Sequence, residues 1–199
     1  MMNETRENKS SLDIIYCFLI SPRNGIELVR EKNFFFAALF VAALSVLSSF
    51  TGDNLILLTA VFPENLSMSF LARLLMIYFL LFCTALLYNF IAEFFGRSEK
   101  ATMLLVLLGL SFLPGIFNTP LALVCSGLNL EEAYGILKLL IIFWTIGLQV
   151  LCLHKLYNFS LTRSIMLYIS PLLFILFSIF TFMLIFLTFF ALNITKVLM

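Results

Sequence analysis

Five apolar stretches, each about as long as a bilayer is thick, limit this chain more than any other feature. A helix needs about 20 apolar residues to cross a hydrocarbon core of about 30 Å. The stretches cover 33–50, 70–95, 101–124, 134–153 and 164–192 of 199 residues. A sixth apolar run, 55–62, is too short to cross and follows Gly52-Asp53-Asn54; it extends span one or lies on the outer surface. The fold class expected is therefore all-α, a polytopic bundle of five transmembrane helices. Composition agrees. Charged residues are 12% of the chain, about half of what a soluble domain uses to keep its surface in water. The solvent for most of this surface is lipid.

The basic residues set the expected orientation. Arg6, Lys9, Arg23, Arg30 and Lys32 precede span one, Arg97 and Lys100 lie between spans two and three, and Lys155 and Arg163 lie between four and five. Only Arg73, Lys138 and Lys196 fall on the other side. The positive-inside rule then predicts a cytoplasmic N-terminus and an outside C-terminus. Residues 1–32 read as a cytoplasmic N-terminal segment with two short interfacial helices, and 33–199 as the transmembrane domain. Ser21-Pro22 opens the second short helix, whose apolar Ile26 and Val29 oppose Glu27, Arg30, Glu31 and Lys32. The first strong apolar run starts near Phe34, behind mixed acids and bases, so a cleaved signal is not expected. Gly96 and Asn158 are placed to end spans two and four in the left-handed conformation, with Ser98 and Ser160 as caps for the next helices.

Several function classes are excluded. A net charge of +1 offers no dense basic face for phosphate backbones, so nucleic acid is not a partner. One histidine and four scattered cysteines, Cys17, Cys83, Cys125 and Cys152, supply no metal or redox spacing. No nucleotide loop, HExxH or GxSxG motif occurs. No catalytic residue, cofactor or metal is expected. The sharpest chemical hypothesis is a Glu93–His154 proton-relay pair near the basic ends of spans two and four; ordinary interfacial residues are the plainer reading. Two other candidates carry more weight. Arg23, Arg30, Lys32, Arg97 and Lys100 form a docking face on the basic side. Pro114, Gly115 and Pro120 are expected to break span three in its outer half, and Pro171 to kink span five, leaving a groove between those spans.

Three segments resemble one family. Ser21-Pro22-Arg23 with Ile26-Glu27-Leu28-Val29-Arg30, then Phe95-Gly96-Arg97-Ser98 with Leu108-Gly109-Leu110-Ser111-Phe112-Leu113-Pro114, then Leu153-His154 through Asn158-Phe159-Ser160-Leu161 resemble the Yip family of small membrane proteins (Ypt/Rab-interacting-protein-like) in its bacterial form. The resemblance implies five spans, a cytoplasmic N-terminus and a non-enzymatic role. Eukaryotic relatives bind small GTPases. Their acidic-aromatic N-terminal motif does not occur here, so the resemblance does not extend to that partner. The function expected is a non-catalytic scaffold or accessory subunit in the bacterial cytoplasmic membrane, with the bilayer, a membrane or cytoplasmic protein, or a second copy of the chain as partners. The alternative is a small transporter or lipid-handling protein using the groove.

Overall fold

The structure, a computed structural model, describes residues 11–31, 34–56, 66–97 and 99–198. Expectations placed on Arg6, Lys9, Lys32, Asn33, 57–62 and Ser98 lie outside the described residues. The described elements are helical: α1 (Ser11–Ile20), α2 (Pro22–Glu31), α3 (Phe35–Ile56), α4 (Leu66–Phe94), α5 (Ala101–Leu110), a 3-10 turn (Leu113–Phe117), α6 (Asn118–Gly127), α7 (Glu131–Tyr157) and α8 (Leu161–Leu198). Five units are long and apolar enough to cross a membrane: Phe35–Ile56, Ser67–Phe94, Ala101–Gly127, Glu131–Tyr157 and Leu161–Phe190. This is a multi-pass integral membrane protein of five spans. Leu55 and Ile56 of the sixth apolar run are the last two residues of α3, an extension of span one.

Span three is the hub, flanked by spans one, two and four, whereas α8 packs on α7 and α4. The approach of span one to span three is set by small residues seven apart. A Cβ on Gly109 would lie 3.1 Å from Ala38 Cβ, and one on Gly115 would lie 2.0 Å from Ser45 Oγ. Gly52, in the same register on span one, meets the Asn118 carbonyl and the Tyr134 hydroxyl just as closely. Lipid tails are as apolar as leucine, so helices in a bilayer associate through close packing and hydrogen bonds, and small residues make both available.

Span three is broken at its middle, between Leu110 and Asn118, and not in its outer half as expected. Pro114 opens the 3-10 turn. Pro120 does not break a helix; it is the third residue of α6, where its missing N–H lies among the unbonded first-turn donors. It still cannot serve the Ile116 carbonyl four residues back. Span one repairs that loss: Ser48 Oγ donates to Ile116 O at 2.7 Å and accepts the Thr119 N–H at 2.9 Å. Thr119 Oγ1 returns a bond to the Ser48 carbonyl at 2.8 Å.

Pro171, by contrast, sits inside an unbroken α8. The carbonyl it orphans, Leu167, accepts from Ser170 Oγ at 2.6 Å within the same helix. Every residue from 172 to 190 is exposed, so this length of α8 faces the lipid.

The short loops stop their helices as the sequence implies. Gly96 has φ +70°, with Arg97 N–H bonded to Ala92 O and Gly96 N–H to Glu93 O, a Schellman pattern. Asn158 has φ +52°, and Ser160 precedes α8 with its Oγ 3.4 Å from the Arg163 amide. Lys100, not a serine, occupies the N-cap of α5 and makes no side-chain capping bond. Helices α1 and α2 tuck under the bundle at this end: Ile14, Phe18, Ile26 and Val29 are buried in one cluster with Leu104, Cys152, Leu153 and Tyr157. Gly25 lets α2 cross α1 against the Phe18 backbone.

Candidate functional site

At the basic end, packing of α2 under spans three and four brings three segments together. Arg23 and Arg30 project from the exposed side of α2, while Arg97 and Lys100 are exposed in the loop between spans two and three. Arg30 pairs with Glu99 of that loop at 2.7 Å. This contact ties the amphipathic helix to the hairpin and removes Arg30 from the free charge of the face. Arg23, Arg97 and Lys100 make no ion pair among the described residues.

Glu93 and His154 lie near this end, but hydrogen bonds hold them separately. Asn89 Nδ2 donates to Glu93 at 3.1 Å, and Tyr157 Oη donates to Asn89 Oδ1 at 3.0 Å. His154 Nδ1 lies 2.5 Å from the Phe159 carbonyl, within its own helix-terminal turn. Each polar group is thereby used in bracing spans two and four or in closing a turn.

The proline groove is also rearranged. The cavity beside Gly115, about 550 Å³, is walled by spans one to four: Ser45 and Ser49, Arg73 and Met76, Phe112 and Asn118, Ile142 and Gln149, with only Tyr168 from span five. A second hollow of about 420 Å³ lies between Pro120 and Trp144, on spans three and four. Neither is lined by Pro171. Span five is held away from span three because α7 and α4 are its packing partners.

One constellation has no counterpart among the expectations from sequence. Asp53, near the end of span one, receives three donors from two other spans. Tyr134 Oη is 3.2 Å from its Oδ1, Lys138 Nζ bonds the same oxygen, and Arg73 reaches Oδ2 at 3.4 Å. The Arg73 guanidinium also lies 5.2 Å from the centre of the Phe50 ring. Two cations share one carboxylate, so the group retains positive charge. The available signal was that Arg73 and Lys138 are each the eighth residue of a long apolar helix, set inside it from the end, since ionisable groups persist there only with a partner or a task.

Residues 16–191 match the Yip1 domain. The chain belongs to the Yip1 family. That assignment covers all five spans together with α2, and the arrangement around Gly96, Pro114 and Asn158 is this Yip1 chain's version of the segments that carried the resemblance. No curated protein and no solved structure matches the chain.

Proposed function

We propose that this Yip1-family protein is a non-catalytic scaffold or accessory subunit of the cytoplasmic membrane, with its N-terminus inside, and that it docks a protein partner on its basic end. The carrying observation is the seating of α2. Its apolar side is buried at Ile26 and Val29, and its basic side is fixed beside the hairpin loop by Arg30–Glu99. A helix held in this way presents Arg23, Arg97 and Lys100 as one rigid, positively charged surface, which favours an acidic partner. The test is in-cell cross-linking of the full chain with Arg23, Arg97 and Lys100 reversed to glutamate, beside an exposed-span control, Phe177→Leu. Loss of cross-linked partners in the reversed protein alone is expected; the same partners in both would end the docking reading.

A second reading, lipid handling, draws support from the cavity among spans one to four. Its size falls within the range of ordinary ligand pockets, roughly 300–1,000 Å³. Transfer of labelled lipid between vesicles by the purified protein tests it.

A further inference from the structure

The cavity among spans one to four is walled mostly by apolar side chains, yet the polar groups that line it are largely unspent. Ser45 Oγ, the Gln149 amide and Tyr168 Oη make no hydrogen bond among the described residues. Ser49 Oγ only accepts, from Asn118 Nδ2 at 2.7 Å. None of these four groups is sealed, since Asn118 Oδ1 is the one side-chain atom closed off without a partner among the described residues. Three of them also share a level. Ser45 is the eleventh residue of α3, Gln149 the ninth from the end of α7 and Tyr168 the eighth of α8. Each therefore lies about 10–15 Å from the basic end of its helix, inside the hydrocarbon. An acyl chain in the cavity could bond none of them. Water could, because a buried water makes about three hydrogen bonds to groups left over in this way.

Towards the basic end the way is shut. The Tyr88 and Tyr168 rings stack, Tyr88 Oη donates to the Tyr168 carbonyl at 3.1 Å, and Cys152 and Leu153 are fully buried. At the other end stands Arg73, the only charged side chain lining the cavity. It is the eighth residue of α4, about 10 Å from the helix start and so near the headgroup border. Its side chain is 54% exposed and shares the Asp53 carboxylate with Lys138 and Tyr134, so part of its charge is unspent. Glu131 and Glu132 open α7, about 10 Å further out than Lys138 and beyond the screening length of about 8 Å in physiological salt.

We propose that this cavity is a water-filled vestibule, blind at the tyrosine pair, which takes small hydrated anions past Arg73 from the side opposite the basic end. A positive group at the mouth of a low-dielectric cleft raises the local concentration of anions, and the hydroxyls and amide of the floor keep the water column bonded. This occupant differs from that of the lipid-handling reading, and one experiment separates the two. The docking reading, at the basic end, is untouched by either outcome.

The test is thiol modification of the full chain in phosphatidylcholine nanodiscs, where both faces meet the reagent. Ser45→Cys and Gln149→Cys are compared with the native chain, whose four cysteines set the background, and with Phe143→Cys, at an exposed position on α7. The reagents are the anionic sulfonatoethyl and the cationic trimethylammonioethyl methanethiosulfonates, which stay out of hydrocarbon. Both cavity cysteines should react above background, severalfold faster with the sulfonate, while Phe143→Cys stays at background. Arg73→Gln should remove the difference between the reagents, and Arg97→Gln, at the other end, should keep it. Unreactive cavity cysteines overturn the vestibule and leave the cavity to an acyl chain, and so does a Phe143→Cys that reacts as fast as they do. Equal rates for the two reagents, or the same loss in Arg97→Gln, overturn the preference for anions. If the cysteine variants fail to fold, the native chain still decides, because Gln149 is its one glutamine. Water-edited solid-state NMR with labelled glutamine should show fast transfer from water to that amide; transfer no faster than to the Phe side chains of α8 sinks the proposal.

Discussion

Span three carries Pro114 and Pro120, span five carries Pro171, and each span follows a short loop with a left-handed residue, yet the protein uses them in opposite ways. Of the most apolar window in span three, 67% is buried; in span five, none is, although span five has the higher mean hydropathy, 2.7 against 1.9. In water the more apolar helix goes inside. Here the outside is apolar too, so interior places go to the helix with groups that lipid cannot serve. Span three carries Gly109, Ser111, Gly115, Asn118 and Thr119, and each meets a neighbour or an internal carbonyl. Span five beyond Pro171 offers mainly Leu, Ile and Phe. Its Thr181 and Thr188 hydroxyls turn back on their own helix, to Phe177 and Leu184.

The contrast can be broken most directly at Gly115. Gly115→Leu forces a side chain into Ser45 and should destabilise the protein by about 3 kcal/mol or more, at the upper end of overpacking costs; unfolding in mixed micelles measures it. A melting curve like that of wild type would remove the tight seam between spans one and three. Next in size come the two serines that stand in for proline N–H groups. Ser48→Ala strips both Ile116 O and the Thr119 N–H of their partner and should cost about 1–3 kcal/mol. Ser170→Ala should cost about 1 kcal/mol or less, because only a carbonyl beside lipid loses its donor. Adding Pro171→Ala to Ser170→Ala should regain stability, since alanine in place of the proline supplies the missing N–H. Should Ser170→Ala prove the worse of the two serine changes, repair from a neighbouring span is not what distinguishes span three. The smallest effect belongs on the bare arm: Phe177→Leu should stay within about 0.5 kcal/mol of wild type.

These pairs also show where the sequence is readable. Five spans follow from hydropathy and length, and Gly96 and Asn158 mark helix ends because few other residues adopt positive φ. Pro114 announces a break but not its place, since a proline at the start of a 3-10 turn and one inside an α-helix look alike in a single chain. Pro120 misleads for the same reason. Of the site residues, Arg23, Arg97 and Lys100 are legible as exposed charge. The pairing of Arg30 with Glu99, and of Asp53 with Arg73, Lys138 and Tyr134, joins helices far apart in sequence, and no local periodicity encodes such contacts. Asn118 gives no warning at all. It is a common residue just ahead of a Thr-Pro, and only its burial makes its free oxygen conspicuous.

The length of α8 has a consequence of its own. At 38 residues it rises about 57 Å, far more than a bilayer's hydrocarbon thickness of about 30 Å. Such a helix either leans over or carries its ends out into the aqueous layers. The start of α8 is anchored against α7 and α4, and from 172 to 190 no described part of the chain covers it. Its packing on α7 and α4 sets how it enters the membrane, and the length beyond Pro171 is what must meet any mismatch with the bilayer. The molecule thus joins a packed body to one long helix whose length beyond Pro171 no described residue covers.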